Sequence, residues 1–267
     1  MKTNRFTSNF LVTLFSALML YTTTSARADA GEGKPLDRYT QVPAGADGIG
    51  KRYMGRDIAG VMGWQGAAWL EREEREREER TDLLVKALRL KPGMVVADIG
   101  AGTGYLARRM APSLVPDGAV FAVDVQPQMV SMLEDMVRSS GMTQIKPMLG
   151  AEDDVGLPES SVDLAIMVDV YHELAFPHEV LASMVRSLKP DGQIAFVEYR
   201  AEDPDVPIKA LHKMSEAQIK REAAVHPLEW ERTVRNLPWQ HLVVFRKRSE
   251  ERVPQQDRDK DSRSHRD

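Results

Sequence analysis

The sequence predicts an α/β protein: a doubly wound, mostly parallel sheet of seven strands with an antiparallel closing strand. Three observations carry that prediction. From Met94 onward, short apolar runs alternate with helical periods of ten to fifteen residues, the pattern of strands joined by crossover helices. Glycines cluster where the first of these runs ends, as a tight strand-to-helix turn requires. Two late runs, 230–236 and 241–246, lie close enough in sequence to pair antiparallel.

The elements follow in order. Lys2 and Arg5, an apolar core over 10–21 and the small-x-small ends Ala26-Arg27-Ala28 and Ala28-Asp29-Ala30 have the anatomy of an export signal over 1–28. The expected location is therefore periplasmic or secreted. Residues 29–89 read as an N-terminal linker and helical lid segment. Its Gly- and Pro-rich start (31–51) has no apolar period, and a Trp-containing apolar stretch follows over 58–70. The run 71–80 (EREEREREER) places Glu71/Arg75, Glu73/Arg77 and Glu76/Arg80 at i,i+4 in the favourable order, which predicts a solvated helix.

The main domain is expected over 90–246, with strands at 94–99, 119–124, 145–149, 163–169 and 193–198 before the closing pair. Helices should start near Gly102, Pro127 and Pro177, with another at about 215–225. The turn Lys189-Pro190-Asp191-Gly192 should feed the fifth strand. Residues 247–267 hold nothing apolar to bury beyond Val253 and are expected to form a disordered charged tail.

Composition removes several function classes. The 267 residues carry 36 Lys plus Arg against 40 Asp plus Glu, for a net charge of −4. Without residues 1–28, which hold three basic and no acidic residues, the balance becomes 33 against 40. That disfavours a nucleic-acid partner. The absence of Cys removes disulfides, thiolate metal sites and a cysteine nucleophile. No run is long enough for a stable membrane span, and nothing in the sequence fixes the oligomeric state. His172-Glu173 begins a zinc-protease H-E-x-x-H, but Phe176 stands where the second His is needed. The six His residues show no ligand spacing, so no metal is expected.

The glycine loop is Asp98-Ile99-Gly100-Ala101-Gly102-Thr103-Gly104, and Asp124 ends the next strand twenty residues later. Three glycines let backbone approach a ligand where Cβ atoms would collide, and an acid at the second strand end suits two ribose hydroxyls. Tyr105 occupies the last glycine position of a dinucleotide fingerprint, and no Gly-Lys-Ser/Thr of a P-loop exists. What remains, D-x-G-x-G-x-G plus an acid, resembles the nucleoside-binding core of the class I S-adenosylmethionine-dependent methyltransferases. The resemblance covers roughly 90–245. It extends through Leu149-Gly150-Ala151-Glu152-Asp153-Asp154, through Leu157-Pro158-Glu159 and on to Leu188-Lys189-Pro190-Asp191-Gly192.

That resemblance implies a Rossmann-like fold and S-adenosyl-L-methionine as cofactor. Asp98, Gly100, Gly102 and Gly104 would face its methionine portion, and Asp124 its ribose. Glu152 or Asp153 would lie near the adenine, both staying open because Gly150 stands where many members carry Asp. Tyr171-His172-Glu173 and His212-Lys213-Met214 are similar to a small-molecule subgroup, which implies a small-molecule acceptor. Tyr171, His172 and Glu173 are the candidate catalytic residues, with His172 or Glu173 as a base toward a protic acceptor. The alternative is an exported, non-catalytic nucleoside-binding or interaction protein that retains the fold.

Overall fold

The computed structural model describes residues 38–248. The export signal over 1–28 and the charged tail from 249 onward lie outside the described residues. Ten strands and seven α-helices are described: β1 Tyr39–Gln41, β2 Gly48–Tyr53, β3 Arg56–Ala59, α1 Ala67–Leu70, α2 Arg75–Glu79, α3 Thr81–Ala87, β4 Val95–Ile99, α4 Tyr105–Met110, β5 Ala119–Asp124, α5 Pro127–Ser140, β6 Ile145–Leu149, β7 Val162–Val168, α6 Pro177–Ser187, β8 Leu188–Tyr199, α7 Glu216–Ala223, β9 Leu228–Val234 and β10 Gln240–Lys247.

The large sheet has the order β6-β5-β4-β7-β8-β10-β9. β4 pairs parallel with both β5 and β7, and β8 parallel with β7, while β10 is antiparallel to β8 and β9. The predicted fold class therefore holds. Alternation along each strand feeds two cores. Ala97, Ile99, Ala165, Met167, Ile194, Phe196 and Val243 point to the side covered by α6 and α7. Val96, Val120, Ala122, Leu164, Ile166, Ala195, Val197 and Val244 point to the side covered by α3, α4 and α5. A period of two with both faces apolar is what a sheet covered by helices on each side demands. Sequence order reverses between β4 and β7, so the crevice beyond the carboxyl ends of β4, β5 and β7 is where such a fold takes a ligand.

The structure departs from expectation in four places. Residues 39–59 form a three-stranded antiparallel sheet rather than a linker, turned by Met54 and Gly55 at positive φ. The charged run is not one solvated helix: Arg80 adopts φ +51°, which separates α2 from α3. Arg75 and Glu79 are buried and pair with each other at 2.8 Å. Lys189–Gly192 forms an irregularity inside β8, where the partner of β7 jumps from Leu188 to Gln193 and Asp191 takes φ +62°. Finally, the first tail residues are ordered: Lys247 ends β10, and the Arg248 amide donates to the Pro227 carbonyl at 2.9 Å.

Candidate functional site

The first floor of the site is the turn from β4 into α4. Gly100 and Gly102 have φ of +71° and +56°. A Cβ on Gly100 would meet Val170 at 2.5 Å, and one on Gly102 would meet Leu70 at 2.5 Å. Both glycines are thus required by backbone conformation and by close approach. The Gly102 N–H donates to Asp124 Oδ2 at 3.0 Å, and the Gln126 N–H to Oδ1 at 2.9 Å. Asp124 is buried at the cleft, and burial raises its carboxyl pKa against the lowering effect of those amides. Each oxygen keeps a lone pair for another donor.

Above this floor lies a cavity of about 660 Å³, within the range of small-molecule sites. Gly100, Gly102, Asp124 and Glu152 line one end, and His172, Glu173 and His212 line it as well. Of the two candidate acids, Glu152 lines the cavity while Asp153 is exposed and outside the lining. Gly104 also lies outside it; a Cβ there would strike Met136 and Leu133, which makes this glycine a packing requirement against α5. Asp98 sits under the loop, almost wholly buried, with Oδ2 unpartnered. Burial pushes its carboxyl up to about 7, against the favourable charge of Arg75 and with the help of Asp124.

The segment expected to be a lid forms part of the cavity wall. Val61, Met62, Trp69, Leu70, Arg72, Arg75 and Glu79 all contribute to its lining. Gln126 clasps the segment by accepting from the Trp64 N–H at 2.7 Å and donating to the Met62 carbonyl at 3.1 Å. Thr103 of the glycine loop and Arg108 of α4 both donate to Glu71, so the charged run is tied to the loop and its helix as well as to itself. Glu79 accepts from Arg75, Arg72 and Tyr199. Sequence reasoning missed Arg75 and Glu79 as cavity residues, because an i,i+4 pattern of charges does not reveal which pair turns inward.

The chemistry at the other end comes from the turn Tyr171–Glu173 after β7. Arg56 of β3 donates to the carbonyls of His172 at 3.1 Å and Tyr171 at 3.3 Å, and pairs with Glu222 of α7 at 2.8 Å. That clamp fixes the turn. Tyr171 itself is fully buried in the core, with its ring edge-on to Phe196 at 4.9 Å and outside the cavity lining. This corrects its reading as a catalytic residue: an aromatic on the sheet side of the turn packs, and its neighbour faces the cleft.

His172 Nδ1 donates to the buried Glu198 at 2.6 Å, while Nε2 approaches His212 Nδ1 at 3.2 Å and Glu173 Oε1 at 3.7 Å. His212 Nδ1 is 3.3 Å from the same Glu173 oxygen. Burial pulls the His172 imidazole down, but the Glu198 and Glu173 carboxylates outweigh it and push the ring up to about 10. Burial likewise raises Glu173, yet hydrogen bonds from His172 and His212 hold it near 2. The ring is thus held between the Glu198 and Glu173 carboxylates and His212, which places the candidate base in a hydrogen-bonded cluster. The expectation that no histidines cluster is corrected too. Residues forty apart in sequence meet here because the loop after β8 returns over the turn after β7.

Comparison with known proteins gives the frame. A family model described as a methyltransferase domain matches residues 97–196, from within β4 to within β8. That stretch, under half of the chain, is similar to the methyltransferase domain that the model describes. The chain is 31% identical over 110 residues to the ubiquinone/menaquinone biosynthesis C-methyltransferase UbiE of Bordetella parapertussis, covering 41% of this chain and 42% of that protein. To UbiE of Laribacter hongkongensis it is 31% identical over 111 residues, covering 41% and 45%. The chain therefore spans well under half the length of these curated relatives. A crystal structure of a SAM-dependent methyltransferase from Aquifex aeolicus shares the fold, with TM-score 0.66, 24% identity, and coverage of 70% of this chain and all of that one. The [4+2]-cyclase SpnF shares it as well, with TM-score 0.55, 16% identity, and coverage of 63% and 80%. The fold alone therefore does not dictate the reaction. The cofactor that such a domain implies is S-adenosyl-L-methionine. The residues fit it: two glycines whose Cβ atoms would collide with Val170 and Leu70 at the cavity floor, a carboxylate at the second strand end, and Glu152 in the cavity lining.

Proposed function

We propose that this chain transfers the methyl group of S-adenosyl-L-methionine to a small, largely apolar acceptor bearing one protic polar group. The observation that carries this reading is a single cavity that joins the glycine loop and Asp124 to the His172, Glu173 and His212 cluster. When bound, the cofactor supplies an electrophilic methyl on a sulfonium, so the protein's part is placement and electrostatics. Asp124 would hold the ribose hydroxyls, Gly100 and Gly102 would admit the methionine portion, and Glu152 would flank the adenine. Val61, Trp69, Ile49, Pro207 and Ile208 give the rest of the cavity its apolar wall, which suits an aromatic or aliphatic acceptor. The His172 and Glu173 side chains would orient the acceptor's polar group. Arg72, Arg75 and Glu79 hold the lid that excludes water.

The UbiE relatives methylate carbon in quinone biosynthesis according to their names, and their likeness supports a ring-bearing acceptor. The family model, over 97–196, takes in the glycine loop, Asp124 and the Tyr171–Glu173 turn and stops before the His212 loop. The test is calorimetric titration with S-adenosylmethionine and its demethylated product, followed by a screen of phenolic, enolic and amine acceptors with labelled methyl donor. Saturable cofactor binding and label in at least one acceptor are expected. Binding without transfer to any class would favour the non-catalytic reading instead.

A further inference from the structure

We infer that His172, Glu173 and His212 form a site for one divalent transition-metal ion at the acceptor end of the cavity. The three donor atoms, His172 Nε2, His212 Nδ1 and Glu173 Oε1, stand 3.2, 3.3 and 3.7 Å from one another. Zinc bonds of about 2.0–2.1 Å in tetrahedral geometry imply donor–donor edges of ~3.3–3.4 Å. The cluster is therefore already one face of a coordination tetrahedron, before any ion draws it together.

The outer partners are in place too. His172 Nδ1 lies 2.6 Å from the fully buried Glu198 carboxylate, which keeps a proton on Nδ1, so an ion arriving at Nε2 displaces that nitrogen's proton to solvent. A carboxylate behind a ligating histidine is the usual support of such sites. Glu173 Oε2 accepts the Met62 N–H at 3.2 Å, which turns Oε1 toward the two rings. His212 is carried by a turn that the Lys213 ammonium fastens to the Asp203 carbonyl at 3.2 Å and that Met214 anchors in the core. Two imidazoles and one carboxylate form a borderline donor set that suits zinc, cobalt or iron(II) rather than magnesium or calcium.

All three side chains line the cavity, so the fourth position opens onto the acceptor space. Three protein ligands with one open position is the arrangement of catalytic zinc, not of structural zinc. The use of the site rests on the methyltransferase reading. An acceptor with a phenolic, enolic or hydroxy-acid oxygen would displace the metal's water and bind through that oxygen. Its O–H would release its proton to solvent more readily beside the cation, leaving a metal-bound oxyanion.

The experiment is metal titration of the full chain after chelator treatment, using zinc chloride by calorimetry and cobalt(II) by visible absorption. One ion is expected per chain, with Kd below about 1 μM and the intense visible bands of four-coordinate cobalt. His212→Gln should weaken zinc at least a hundredfold, and Glu198→Gln about tenfold to a hundredfold. The rings of His178 and His226 also lie close together, at 4.6 Å between centroids, and His226→Gln should leave zinc binding unchanged. Circular dichroism and affinity for S-adenosylhomocysteine, read in the same variants, should stay at wild-type values. No binding at micromolar zinc, or equal binding by His212→Gln, overturns the site. Zinc bound as expected by a protein with no affinity for S-adenosylhomocysteine would keep the metal site and defeat the methyltransferase reading, so the two failures are distinct.

Discussion

At the scale of single residues, Asp124 and Tyr171 show how one strand end or turn separates chemistry from packing. Asp124 ends β5 with its carboxylate held by two backbone amides, and both oxygens remain able to accept. Hydrogen bonds to a charged group contribute about 1.5–3 kcal/mol. Asp124→Ala should thus weaken S-adenosylhomocysteine roughly tenfold to a hundredfold, measured by calorimetry. Asp124→Asn separates the charge from the hydrogen bonds and should lose less. The alanine variant also strips a partner from the Gly102 N–H, so part of its loss comes through the loop. Unchanged affinity in both variants would remove Asp124 from the site. Tyr171 is adjacent in sequence to His172, yet its ring lies in the core between Phe196 and the Arg56 guanidinium. Adjacent residues in a turn face different directions, and a motif read as a unit does not reveal that.

At the scale of elements, the lid depends on a buried ion network rather than on the helix it was expected to be. Glu79 gathers Arg75 at 2.8 Å, Arg72 at 2.7 Å and the Tyr199 hydroxyl at 3.0 Å, while Arg75 also donates to the Leu70 carbonyl at 2.8 Å. The Arg75 guanidinium stacks on Tyr105, and that of Arg72 on Trp69. Removing one member of a buried pair leaves the other charge uncompensated, at a cost of about 3–5 kcal/mol. Glu79→Ala should therefore lower the melting temperature by roughly 6–20 °C, at about 2–4 °C per kcal/mol for a domain of this size. Calorimetry would read it, and a fall of less than about 2 °C would show that the network adds no stability. The strands of the large sheet were legible because β-branched runs bounded by Gly and Pro leave few alternatives. The small sheet was not, since β2 (GIGKRY) is half exposed and carries glycines that read as loop. The Met54-Gly55 pair between alternating residues was the available hairpin signal. The break at Arg80 had no sequence mark: it follows the inward turn of Arg75 and Glu79, the two ends of α2 on one buried face.

For the whole molecule, the sheet order brings sequence-distant groups together, and that is where sequence reasoning ran out. His172 and His212 meet because β7 and β8 are neighbours. His178 and His226 meet in the same way, between the start of α6 and the turn before β9. The second pair sets an acid limit on the fold. Burial pushes the His226 imidazole down to about 4, and the nearby charges of His178 and Arg38 push the same way against Glu179. Unfolded, the ring would take its proton near pH 6.5, whereas the native ring stays neutral until about pH 4. Between those values the unfolded state binds more protons, so stability present above about pH 6.5 is lost as pH falls toward 4, and the loss then levels off. His178 beside it is partly exposed, and screening there limits the effect to about 1–2 kcal/mol. His226→Gln removes the titration while keeping a polar side chain. The drop in melting temperature from pH 7 to pH 5 should be several degrees smaller in this variant than in the wild type. The His178 ring packs on His226, 4.6 Å between centroids, and loses that neighbour in the variant, so the difference reads the His178/His226 pair. Parallel melting-temperature curves over that range would show that His226 takes up its proton in the native state as readily as in the unfolded chain.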